Sequence, residues 1–177
     1  MKRLASRMMF PLVALSLAFS ALPAQGQDAA RGKQHHGARL NVTVSFGAGL
    51  NTAGAANHHI LPPVIRVRQG GVVNFAVAGF HQIFVYNPGT TPTDVTNALP
   101  NTTGAFINFM DNLFYQGIAP AGGPAATPPT ISPSNGTNRV ESVSFTTPGE
   151  YLVICNVRTH FVDGMFAIVK VIEAAPK

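Results

Sequence analysis

The chain has 177 residues, 46% of them hydrophobic and only 11% charged, with one cysteine and no tryptophan. That length fits one domain, and a lone cysteine excludes an internal disulfide framework. The formal net charge of +5 includes Lys2, Arg3 and Arg7 at the extreme N-terminus; without them nine basic residues face seven acidic ones, too even a balance for a nucleic-acid-binding surface.

Residues 1–26 read as a secretory signal peptide, because the basic start is followed by an apolar run from Met8 to Leu22 and then by small and polar residues. The run is too short, and is broken by Pro11, for a retained membrane helix, so no stable membrane insertion is expected. Cleavage after Ala24 or after Gly26 both satisfy the small-residue rule, and the mature protein is expected to be periplasmic or secreted. About 150 residues then remain, enough to bury roughly 68–70% of their unfolded surface with no disulfide. An unpaired cysteine in an exported protein calls for a role.

Residues 27–38 lack apolar periodicity and read as a flexible arm, and the folded domain is expected over 39–177. In RLNVTVSF, Leu40, Val42, Val44 and Phe46 alternate with polar residues, the period of a half-buried strand. Residues 64–68 and 72–78 alternate likewise around Gln69-Gly70-Gly71, which predicts a hairpin. Residues 81–86, 140–146, 150–155 and 165–172 complete seven short strands. Between Pro88 and Asn138 the composition turns to Gly, Pro, Thr, Asn and Ser around an apolar patch, FINFMDNLFYQGI. This 88–138 insertion is expected to dock its patch on the core as a short helix or strand, with flexible flanks. The pattern predicts an all-β, antiparallel Greek-key sandwich with no β/α alternation.

The chemistry lies in the last third, where Cys155, His160 and Met165 follow one another as C-x4-H-x4-M. The cysteine ends the strand YLVIC, the chain loops, and the strand MFAIVKV begins at the methionine, so three side chains can converge at one end of the sandwich. His81, just after the Ala78-Gly79-Phe80 bend, would lie at the same end and supply a fourth ligand. Two imidazoles and a thiolate in a trigonal set, with a weak axial thioether, are the ligands of a blue-copper electron-transfer centre. Zinc competes, but structural zinc favours more thiolates and seldom takes methionine.

In PPVIRVRQGGVVNF, GFHQIFVYN and FTTPGEYLVICNVRTHFVDGM the sequence resembles the cupredoxins, the small blue copper proteins, over residues 39 to 173, with the C-terminal spacing most like rusticyanin. The resemblance implies one type 1 copper held by His81, Cys155 and His160 with Met165 axial. It also implies an electron port at the His160 edge and a Gln82 backbone amide near the cysteine sulfur. Many family members carry asparagine or serine where this chain has Gln82.

The implied function is a monomeric, non-enzymatic carrier of one electron between donor and acceptor proteins that stay anonymous, since the near-neutral mature charge gives little steering. A copper storage or delivery protein, or a metal-free binding module, is the alternative. A multicopper oxidase would need histidines flanking its cysteine, where this chain has Ile154 and Asn156. Phe80, Phe161 and Phe166 are available either to exclude water or as ordinary core. The pairs His35-His36 and His58-His59 read as solvated loop histidines rather than an accessory copper site, because no third ligand accompanies either.

Overall fold

A computed structural model describes residues 38–47, 55–101, 104–120 and 137–174. The expected signal peptide, nearly all of the N-terminal arm, the His35-His36 pair and the middle of the insertion lie outside the described residues. Eight strands form among those described. β1 (Arg39–Phe46) buries Val44 and Phe46 and turns Asn41 and Thr43 to solvent, as its alternation requires. The two-residue β2 (Ile60–Leu61) pairs antiparallel with β1.

The predicted hairpin is instead one continuous 15-residue strand, β3 (Val64–Ala78). Gly70 takes the positive φ of 77° that a turn would need, yet the chain runs on. Opposite it β1 advances only from Arg39 to Asn41 while β3 advances from Val67 to Val72. The glycines therefore make a bulge, which bends a strand without reversing it. The bend passes β3 between sheets: Val64–Arg68 pairs parallel with β8 (Phe166–Ile172), and Gly71–Ala78 pairs antiparallel with β6 (Asn138–Phe145). One layer runs β2-β1-β3-β6, the other β3-β8-β7-β4-β5, with β4 at Ile83–Tyr86, β5 at Leu113–Gln116 and β7 at Gly149–Cys155. The all-β sandwich stands, with mixed pairing where a wholly antiparallel one is expected, because β1 and β8 both run parallel to β3.

Between the layers lies a core that includes Phe46, Phe75, Phe145, Ile65, Val153 and Val169, each side chain contributing about 1.5–3 kcal/mol by burial. A second apolar cluster covers the outer face of β4 and β7, where Phe84, Tyr86, Leu152 and Ile154 meet Val95, Ile107 and Phe161. IFVY and YLVIC are unbroken apolar runs because both faces of these strands are buried.

The cover comes from the insertion. The apolar patch contributes β5 and the buried Ile107, as its docking requires. The flank before it is helical where a flexible segment is expected: α1 spans Pro92–Ala98. Thr91 Oγ1 accepts from the Asp94 amide and Asp94 Oδ2 accepts from the Thr91 amide, a capping box with proline at the first helical position. Those caps, with Val95 buried beneath the helix, hold an element too short to persist alone.

Candidate metal centre

The site forms where β4 begins and β7 ends. Ile83 and Cys155 are register partners, so His81, two residues before β4, and Cys155, the last residue of β7, share one end of the sandwich. The chain after Cys155 is a short helix, α2 (Arg158–Val162), and His160 lies on it rather than in an open loop. Met165 stands just before β8. Backbone bonds close this segment: Met165 N–H donates to the His160 carbonyl (3.0 Å) and Cys155 N–H to the Met165 carbonyl (3.0 Å). The insertion braces it from outside, with Ile107 N–H donating to the Asn156 carbonyl and Arg158 N–H to the Ala105 carbonyl (both 2.9 Å).

Three donor atoms converge here. His81 Nδ1 and His160 Nδ1 are 2.9 Å apart, and Cys155 Sγ lies 3.5 Å from the first and 3.6 Å from the second. A triangle with those sides has a point about 2 Å from every corner, close to a first-row metal's bond lengths to imidazole nitrogen and thiolate sulfur. The group is able to hold a metal ion, and two imidazoles with one thiolate are the donor set of a type 1 copper site. Met165 is fully buried in the same core cluster as Cys155.

The electrostatics suit a cation. Burial, aided by the charges of His160, His58 and Arg139, pushes the His81 pKa down to about 3, and burial with the His58 charge pushes His160 to about 4. Both imidazoles are therefore neutral at neutral pH, with lone pairs free to coordinate. Burial drives the Cys155 thiol up to about 12, against the pull of the Val157 and Gln82 amides and of Arg139. A bound cation would take the place of that proton, as coordinated thiols are deprotonated.

The surroundings hold His81 tightly. Gly47 adopts φ +97°, and a Cβ there would stand 2.4 Å from the Ala78 carbonyl and 2.9 Å from His81 Nε2, so only glycine fits the cradle. Asn57 Nδ2 donates to the Ala78 carbonyl (3.1 Å) and lies 3.4 Å from His81 Nε2, while the buried Asn57 Oδ1 has no partner among the described residues. The Ala78 carbonyl also hydrogen-bonds the His81 ring, so the Nε2–H that coordination through Nδ1 requires has its acceptor. Arg139 Nη2 donates to the His81 carbonyl (3.1 Å) and is paired with Glu141, which also accepts from Tyr115 O–H (2.8 Å) and Ile118 N–H (3.1 Å). The expected nearness of the Gln82 amide to the sulfur is present, and the Gln82 side chain bridges Asn156 Nδ2 (2.9 Å) and the Gly117 carbonyl (3.0 Å).

His160 is held from a side that the sequence reading assigns to solvent. The His58 ring stacks on it, centroids 3.7 Å apart and 25° between planes, and His58 Nδ1 is 2.6 Å from Asp163 Oδ2. His58 therefore belongs to the site, whereas His59 stays exposed. Nothing within the chain near residue 58 signals this; the contact arises because β2 carries the preceding segment across the end of the sandwich. Of the three phenylalanines only Phe161 is buried, in the outer cluster with the exposed Phe166 ring beside it (centroids 6.1 Å), while Phe80 is exposed.

No family model matches the chain, and no curated protein matches it. Among solved structures it is similar to reduced auracyanin from Roseiflexus castenholzii, at 20% identity over 79% of this chain and 100% of that one, with a TM-score of 0.47. It is also similar to auracyanin A from Chloroflexus aurantiacus, described as a blue copper protein, at 21% identity over 74% and 98%, TM-score 0.41. Reduced rusticyanin matches at 17% identity over 75% and 79%, TM-score 0.42. The chemistry of the site rests on its own donor atoms.

Proposed function

We propose that the protein is an exported, mononuclear type 1 copper protein that carries one electron between redox partner proteins, as a monomer and without catalysing a reaction of its own. His81, Cys155 and His160 are the equatorial ligands and Met165 the axial one. The observation that carries this is the triangle of two Nδ1 atoms and one Sγ, each side between 2.9 and 3.6 Å. Copper, when bound, supplies a one-electron couple whose two oxidation states differ in preferred geometry. This chain's part is to keep the donors still. His81 and Cys155 are buried to 1% and 0% exposure, which excludes water from the thiolate and from one imidazole. The Gln82 and Val157 amides face the sulfur and stabilise its charge. His160 alone of the three donors reaches partial exposure, so its ring edge is the port toward donor and acceptor.

The leader that would direct export lies outside the described residues, and no described helix is long and apolar enough to cross a membrane. Titrating the purified mature protein with Cu(II) tests the reading. The expected result is an intense visible absorption at one equivalent, bleached by reductant, restored by oxidant and lost in Cys155→Ser. A colourless protein overturns it in favour of a metal-free module. Loosely exchanging copper that tolerates Cys155→Ser would favour storage or delivery.

A further inference from the structure

His160 differs from His81 and Cys155 in lying on a short helix rather than at or just before the end of a strand. It sits on the five-residue α2, flanked by the exposed Thr159, Val162 and Asp163, and is itself partly exposed. Rotation about its side-chain bonds would withdraw one corner of the donor triangle. The segment Asn57-His58-His59 opposes this. Asn57 reaches His81 Nε2, His58 lies flat on the His160 ring and edge-on to His81 (6.2 Å, 89°), and the His59 carbonyl accepts from Gly47 N–H (2.9 Å). Three consecutive residues thus touch both imidazoles and the glycine that cradles one of them. The stacking ring is itself anchored, because Asp163, to which it bonds, caps α2 with its amide on the Thr159 carbonyl (3.0 Å).

We infer that His58 is a positioning residue for His160: it closes the solvent side of the site with an aromatic face and holds that imidazole in its ligating orientation. The role requires the ring, since the stack and not the charge blocks rotation. It rests on the copper reading only for its consequence, which is slow release of the ion; the orientation of His160 is a property of the chain alone.

Two variants separate the ring from its hydrogen bond: His58→Ala removes both, and His58→Phe keeps an aromatic face. In the copper-loaded proteins, transfer of Cu(I) to a chelating dye should be about tenfold faster in His58→Ala, the loss usual when an outer partner of a ligand is removed. His58→Phe should stay near the wild-type rate. In the metal-free proteins, NMR of the His160 ring should show one orientation in the wild type and His58→Phe and rotational averaging in His58→Ala, with urea midpoints unchanged. An unchanged release rate and a fixed ring in His58→Ala would overturn the role, as would His58→Phe behaving like His58→Ala. If the wild type binds no copper, the copper reading fails and the metal-free ring measurement still decides the positioning role.

Discussion

The two imidazoles of the site are held by opposite means. His81 is 1% exposed and enclosed on several sides: by the glycine cradle at 47, by the Asn57 side-chain amide, and by an arginine on its carbonyl that is pinned by a buried glutamate. His160 is partly exposed on a short helix and is held by one stacked ring and that ring's bond to Asp163. One wall is built into the sandwich and the other is laid over it. A carrier needs both, since a fixed donor set keeps rearrangement small and an accessible edge lets the electron leave.

The built-in wall should fail at the largest cost. Glu141→Ala removes the buried carboxylate paired with Arg139, whose side chain is 7% exposed. Breaking such a pair costs about 3–5 kcal/mol, measurable as a lower urea midpoint of the metal-free protein, with the site spectrum lost as the His81 carbonyl is released. An unchanged midpoint would show that the His81 and Ile118 carbonyls hold the guanidinium without it. Next comes Gly47→Ala. A non-glycine residue at φ +97° costs about 1–3 kcal/mol in strain, and its methyl must push His81 out of the triangle. Copper affinity should fall by about 100-fold or more, the upper range for a disturbed ligand support, as read by competition with a chelator.

Met165→Gln acts on neither wall and should be milder. With the equatorial donors untouched, copper and colour should be retained while the reduction potential falls, because an oxygen donor favours the oxidised ion more than a thioether does. Potentiometry showing a rise would remove Met165 from the axial position.

How much of this could be read from the sequence follows the same division. The strands with one wet face announce themselves by alternation, as in β1 and β6, and the four proposed ligands by type and spacing around a single cysteine. Gly70-Gly71 misled because a bulge and a turn need the same backbone freedom, and only the pairing of β1 and β8 with the two halves of β3 distinguishes them. α1 was missed, because its one signal, the capping box in Thr-Pro-Thr-Asp, lies inside a stretch whose composition suggests only loop. His58 was not legible at all. Its role depends on a partner 102 positions away, and a lone histidine pair before a strand carries no mark of what lies across the sandwich end.

The smallest effect compares the two imidazoles directly, by their protons. In the unfolded chain a histidine titrates near 6.5, whereas in the metal-free fold His81 titrates at about 3 and His160 at about 4. Between these values the unfolded state binds more protons, so stability must fall as pH falls from about 6.5 toward 4. Both residues contribute, but unequally: His81 is buried on every side, while solvent screens much of the charge on His160. Urea unfolding of the metal-free protein at pH 6 and pH 5 should give a lower midpoint at pH 5. His81→Asn should flatten that difference more than His160→Asn. Equal flattening would mean that the stacked ring of His58 excludes water as thoroughly as the sandwich itself, and the distinction between a built-in and an overlaid wall would be lost.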